Sequence, residues 1–235
     1  MKISRFGFME DKTTVERARD EFARAESAVL TGFLEADLAQ RFTGELDAEA
    51  CAPNVHHAAD NREFARDLTF SSTSGVLHAL HLMLNNPRLF AAIRQITGCG
   101  PIGCFAGRIY RNLPSPEYRL DWHDDTQTPH RLIGLSMSLT VGSLEGGLFR
   151  LRRKSTREIL AEVAHSRPGN AHIFRIDSAI EHCVTAVQGE LPRTAFAGWF
   201  QSSPDLDTFI RSLYVGPKAH SSVPPGYDVL EGSGQ

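Results

Sequence analysis

The chain has 235 residues, 25 basic and 28 acidic, a balance that points to neither a nucleic acid nor an anionic membrane surface as partner. That length suits one domain with a full core. Its 4 cysteines, Cys51, Cys99, Cys104 and Cys183, make no Cys-x-x-Cys pair, so neither a structural zinc site nor a disulfide framework is indicated and a reducing compartment fits best.

At the start, residues 1–7 lack the apolar run of a signal peptide. Residues 11–26 are charged and helix-favouring, and they lead into an apolar run at 28–34 that reads as a strand. Over 35–46, Leu38, Phe42 and Leu46 recur four apart, the spacing of a helix packed on the outside of a sheet. Periodicity then fails from 51 to 67. This stretch, with adjacent His56 and His57, reads as a solvated or substrate-covering loop, with metal binding by the two histidines as the rival. Two helices follow at 74–85 and 87–97, where Leu77, Leu80, Leu84, Leu89, Ile93 and Ile96 keep helical spacing and Pro87 suits a first turn. The apolar run at 75–84 is interrupted by His78 and His81 and falls short of the roughly 20 residues a membrane span needs. Those two histidines have no carboxylate or third histidine at ligand spacing and read as structural. A cytoplasmic, soluble protein is expected.

From 102 the period becomes strand-like. Short apolar segments recur at 102–112, 118–122, 132–141, 148–152, 171–176, 183–187 and 194–201, separated by turn residues. Helices followed by seven or eight strands predict a mainly β, α+β fold: a sandwich or barrel with the N-terminal helices packed on a sheet. A helix beginning near Ser203-Pro204-Asp205 carries Leu206, Phe209, Ile210 and Leu213 on one stripe. Beyond 215 the Pro-, Ser- and Gly-rich composition reads as a loose tail. The expected organisation is one domain over 1–235: a helical part over 1–100, the β core over 101–201, a helix over 202–214 and the tail over 215–235.

Chemistry concentrates in Trp122-His123-Asp124-Asp125, Glu181-His182-Cys183 and Arg193. Alternate residues of a strand project from one face about 7 Å apart, so His123 and Asp125 on one strand can reach a common point while Asp124 faces away. With an imidazole from a neighbouring strand they would form the two-histidine, one-carboxylate set that holds ferrous iron. Both His172 and His182 can supply that imidazole. Arg193 alternates with Ala195, Ala197 and Trp199 on an apolar strand face, where its charge needs a partner and a carboxylate fits its fork. The basic run Arg150-Leu151-Arg152-Arg153-Lys154, with Arg157, reads as a solvated strand edge, the rival being contact with an acidic or phosphorylated partner. Trp122 and Trp199 read as core.

Taken in order, Arg108-Ile109-Tyr110, His123-x-Asp125, the Gly146-Gly147 and Pro168-Gly169 turns, His182 and Arg193 resemble the Fe(II)- and 2-oxoglutarate-dependent oxygenases, closest to their prolyl-hydroxylase-like branch, over roughly 100 to 201. The resemblance implies a double-stranded β-helix, or jelly-roll. It implies Fe(II) on His123, Asp125 and His182, with His172 left structural. It also implies that Arg193 and Tyr110 bind 2-oxoglutarate, that O2 is consumed and that ascorbate can serve as auxiliary reductant. Hydroxylation of a C–H bond with release of succinate and CO2 is the expected reaction, on an amino acid, a small or carrier-bound molecule or a peptidyl residue. Asp125 completes the ligand set, which disfavours the halogenating relatives. Many relatives carry a hydroxyl two residues after the arginine; Ala195 stands there, so Thr140 or another hydroxyl must replace it. The alternatives are a cupin-like metal isomerase or lyase using the same histidines without 2-oxoglutarate, and a non-catalytic jelly-roll binding module.

Overall fold

A computed structural model describes residues 1–57, 61–164 and 167–214. The expected tail beyond 215 lies outside them. A short hairpin, β1 (Lys2–Ser4) and β2 (Gly7–Met9), precedes helix α1 (Lys12–Ala25), which Asp11 starts by accepting the Thr14 N–H at 3.2 Å. Strand β3 (Ser27–Leu30) follows, then helix α2 (Ala36–Asp47) and a hairpin of β4 (Cys51–His57) and β5 (Glu63–Phe70). Helices α3 (Gly75–Leu84) and α4 (Pro87–Thr97) are capped at their N-termini by Ser74 and Asn86, and Pro87 opens the second.

The strands that follow are β6 (Cys104–Asn112), β7 (Leu120–His123), β8 (Arg131–Ser138), β9 (Glu145–Gly146), β10 (Phe149–Arg153) and β11 (Ile159–Val163). After them come β12 (Ala171–Arg175), β13 (Ile180–Val184), β14 (Val187–Gln188), β15 (Arg193–Gln201) and helix α5 (Leu206–Tyr214).

One antiparallel sheet of 11 strands runs β11-β10-β13-β7-β5-β6-β15-β8-β12-β3, with β4 added at β5. It curls back on itself. Across the interior the His172 ring of β12 lies 4.2 Å from Phe149 of β10, and Phe174 of β12 lies 4.6 Å from His182 of β13. The result is a nearly closed, barrel-like jelly-roll. Alternation along β15 shows how it is held: Phe196 and Phe200 face outward into a core shared with Leu80, Leu84, Leu89 and Ile93 of the helices. Arg193, Ala195, Ala197 and Trp199 take the other face. Gly198 lets β15 and β6 approach closely, since a Cβ there would stand 2.2 Å from the Ala106 carbonyl oxygen.

One expectation fails here. The stretch 51–67 is no loop but most of the β4–β5 hairpin, whose second strand pairs with β6 and β7; only residues 58–60 fall outside the described residues. Among the described residues strand β4 pairs with β5 alone and lies half in solvent, so its side chains carry no clear period. The segment 159–163, with Glu162 exposed and no wholly buried residue, forms sheet-edge strand β11, also unforeseen. Among the described residues no helix is long and apolar enough to cross a membrane.

Candidate functional site

Strand β7 ends at His123, and His182 sits directly opposite it on β13, with ring centroids 4.1 Å apart. Asp125 reaches them by a different route from the one the spacing suggested. The strand stops at His123, and Asp125 adopts a left-handed φ of 61°, which an aspartate tolerates better than most residues. This turn brings its carboxylate back between the rings: Oδ1 lies 3.6 Å from His123 Nε2 and Oδ2 lies 3.6 Å from His182 Nε2. One ligand atom from each of the three residues falls within 4.8 Å of the others.

Neighbours fix these groups. Trp199 Nε1 donates to Asp125 Oδ2 at 2.8 Å and the Arg131 guanidinium donates to Oδ1 at 3.1 Å, itself lying 3.5 Å over the Trp199 ring. Trp199 is therefore a half-buried support for the carboxylate rather than core. His123 Nδ1 lies 2.8 Å from the Asp121 carbonyl oxygen; a carbonyl only accepts, so Nδ1 carries a proton and Nε2 is the ring nitrogen turned to the site. Burial, then repulsion from His123, lowers the His182 pKa to about 3, which keeps that ring neutral. Burial opposes ionisation of Asp125, but the two histidines, Arg131 and the Trp199 bond outweigh it and hold the carboxyl below its ordinary value. Two imidazole nitrogens and a carboxylate suit ferrous iron rather than the all-oxygen preference of magnesium or calcium. The residues present fit that metal.

Beside this trio Arg193, at the start of β15, is 0% exposed. Its guanidinium donates to the Tyr110 phenol at 2.8 Å, the Asn112 side-chain Oδ1 at 3.3 Å and the Ser136 hydroxyl at 3.5 Å. Gly147 at φ 61° makes room for it, since a Cβ there would stand 3.0 Å from Arg193 Cδ. Thr140 does not replace the hydroxyl missing at Ala195: its Oγ1 donates to the Thr194 carbonyl and accepts the Thr194 N–H at 2.8 Å. Ser136 is the hydroxyl that reaches the arginine. His172 lies opposite Ser136 in register, in the barrel interior, where burial and then the Arg193 charge lower its pKa to about 3.

A further cluster escaped the sequence reading. Arg108 of β6 grips Asp67 of β5 with two bonds, at 3.0 and 2.6 Å, and His56 Nε2 of β4 lies 3.0 Å from Asp67 Oδ2 and 3.1 Å from Arg108. Only the hairpin brings these three together, and alternation on β5 and β6 was the one signal available.

The basic run is internally compensated. Arg150 pairs with Glu162, Arg152 with Glu181, Arg153 with Glu158, and Lys154 with Asp124. Arg152 also lies 3.7 Å over the Trp122 ring, so Trp122 supports a surface rung and is not core.

Residues 108–201 match the family model described as the 2OG-Fe(II) oxygenase superfamily. No curated protein sequence matches the chain. Among solved structures, an oxidoreductase of the 2OG-Fe(II) oxygenase family from Burkholderia pseudomallei aligns with TM-score 0.59 and 15% identity over 87% of this chain and 97% of that one. A Pseudomonas putida prolyl-4-hydroxylase gives 0.60 and 18% over 81% and 100%. A Trichoplax adhaerens prolyl hydroxylase, solved with a hypoxia inducible factor peptide fragment, gives 0.58 and 10% over 83% and 94%.

Proposed function

We propose, from the match of residues 108–201 to the model of the 2OG-Fe(II) oxygenase superfamily, that His123, Asp125 and His182 hold the iron while Arg193 and Tyr110 bind the distal carboxylate of 2-oxoglutarate in a hydroxylase. The observation that carries this reading is the meeting of the three ligand atoms within 4.8 Å of one another in a barrel that also buries Arg193. When bound, iron and 2-oxoglutarate supply the oxidising chemistry, in which one oxygen atom of O2 goes to the substrate and the other to succinate as CO2 leaves.

The protein's part is placement. Arg193 donates to Tyr110, Asn112 and Ser136, and its planar fork matches the geometry of a carboxylate. Because the Tyr110 oxygen accepts from Arg193, the phenol proton remains free to donate to the same carboxylate. Trp199 and Arg131 hold the Asp125 carboxylate in its turned position, and the Asp121 carbonyl holds the His123 ring so that Nε2 faces inward. Phe149 and Phe174 pack against His182 and keep water from that side.

The four described cysteines are free, which favours a reducing, cytoplasmic setting, and the substrate is an amino acid, a small or carrier-bound molecule or a peptidyl residue. Anaerobic addition of Fe(II) and 2-oxoglutarate should produce a weak visible charge-transfer band; binding of metal without the band favours the isomerase alternative, and binding of neither favours the non-catalytic one. In His182→Ala iron binding should be lost while the far-ultraviolet circular dichroism is kept. Retention of metal at wild-type stoichiometry would reassign the third ligand.

A further inference from the structure

Two cations of the basic run grip the outer face of the barrel beside the metal ligands. Because alternate residues of a strand face opposite ways, the inward His182 of β13 lies opposite Leu151 of β10, and their neighbours Glu181 and Arg152 lie opposite each other on the outside. Arg152 Nε and Nη2 both meet Glu181 Oε1, at 2.7 and 2.6 Å. The same guanidinium lies 3.7 Å over the ring of Trp122 on β7, next to His123. One side chain of β10 thus reaches across β13 to β7 and touches the residue beside each histidine ligand. Lys154, one residue beyond β10 and with its N–H bonded to the Ala179 carbonyl at 2.9 Å, serves the third ligand: its Nζ donates to Oδ2 of Asp124, the residue between His123 and Asp125.

Asp124 passes that hold on to the turn. Its Oδ1 accepts the Thr126 N–H at 3.0 Å and the Thr126 hydroxyl at 2.7 Å, so one carboxylate spans the left-handed Asp125 and ties both of its neighbours to Lys154. Another pair of the run is built differently. Arg150 and Glu162 have side chains 40% and 47% exposed and meet on the edge strand β11, and exposed pairs of that kind add little. Arg152 and Glu181 are 18% and 16% exposed, and Asp124 is 22% exposed. Solubility at a strand edge calls for exposed charge, not for sheltered charge aimed at the neighbours of three ligands.

We propose that Arg152 and Lys154 are positioning residues of the iron site: acting from outside the barrel through Trp122, Glu181 and Asp124, they set the separation at which His123, Asp125 and His182 meet. Trp199, Arg131 and the Asp121 carbonyl orient the ligand groups themselves. The outer brace fixes the backbone that carries those groups, so that the three ligand atoms are already gathered before a metal arrives. The proposal rests on the ligand assignment in the reading above.

The test follows Co(II) binding to the full chain through the visible d–d absorption of the bound ion. Arg152→Met with Glu181→Gln, and Lys154→Met with Asp124→Asn, each remove a cation and an anion together, so the net charge beside the metal is unchanged. Each double variant should raise the Co(II) dissociation constant about 10-fold, the lower end of what partners outside the ligand shell contribute, and shift the d–d bands while the far-ultraviolet circular dichroism is kept. Arg150→Met with Glu162→Gln removes the same charges from the same strand and should leave both readouts as in the wild type. Arg152→Lys keeps the charge but loses the fork, so it should weaken Co(II) binding in the same direction and serves where a double variant does not fold. An unchanged constant and unchanged bands in either brace pair, or an equal change in the Arg150 and Glu162 variant, would overturn the assignment. His182→Ala, titrated alongside, separates the two readings. Co(II) bound by the wild type and lost in His182→Ala, with the brace variants unchanged, defeats only the brace; a wild type that binds no Co(II), or a His182→Ala protein that binds it as tightly, defeats the ligand assignment and the brace with it.

Discussion

At the scale of single residues, Asp125 shows how support can matter as much as identity. Its left-handed backbone and its two bonded oxygens mean that the position of the carboxylate is set by Trp199 and Arg131. Trp199→Phe keeps the ring stack and deletes one donor, so the Fe(II) dissociation constant should rise about 10-fold, read by anaerobic titration, with thermal stability little changed. An unchanged affinity would show that the indole N–H does not hold the ligand. Arg193→Lys keeps a charge in the pocket but loses the planar fork; KM for 2-oxoglutarate in succinate release should rise by about 10- to 100-fold with a smaller change in kcat. The types and order of His123, Asp125, His182 and Arg193 were legible in the sequence, yet the path of Asp125 was not. A two-residue spacing looks the same whether the chain continues as a strand or turns through a left-handed residue. His56, Asp67 and Arg108 were illegible as a group because no local pattern says that 51–57 pairs with 63–70.

At the scale of elements, β15 is the organising piece. One face carries Arg193 and Trp199 into the barrel while the other buries Phe196 and Phe200 under the helices. This two-faced pattern was readable, because its alternation is strict and both faces are buried. Strand β4 was not, having one neighbour among the described residues and an exposure pattern without period. Close approach along β15 is demanding: in Gly198→Ala the new Cβ would meet the Ala106 carbonyl, so the pairing with β6 must open, at a cost of about 3 kcal/mol, measured as a lowered urea midpoint. Phe196→Ala should cost about 3 to 5 kcal/mol through the cavity left among Phe105, His81 and the helices, with the metal ligands untouched.

For the whole molecule, buried neutral histidines tie stability to pH. Burial lowers the His81 pKa to about 4, its Nε2 lying 2.8 Å from the Gly107 carbonyl oxygen, and His172 and His182 are lowered to about 3. Below pH 6.5 the unfolded rings take up protons that the folded rings refuse, so the unfolded state binds more protons and stability falls as pH drops toward 4. The His81 share is on the order of 3 kcal/mol once pH is below 4. Urea midpoints of the metal-free protein should therefore fall between pH 6.5 and 4, and His81→Asn should make that decline shallower; a flat profile would show that these rings titrate normally.

Strands β7 and β13 are joined by a short ladder that a register shift interrupts, and His123 and His182 face each other within it. A divalent ion seated on both rings is thus also a clamp across this interrupted seam of the barrel. Amide hydrogens of 120–123 and 180–184 should exchange with deuterium more slowly once Fe(II) or Ni(II) is added, while those of 104–112 change little.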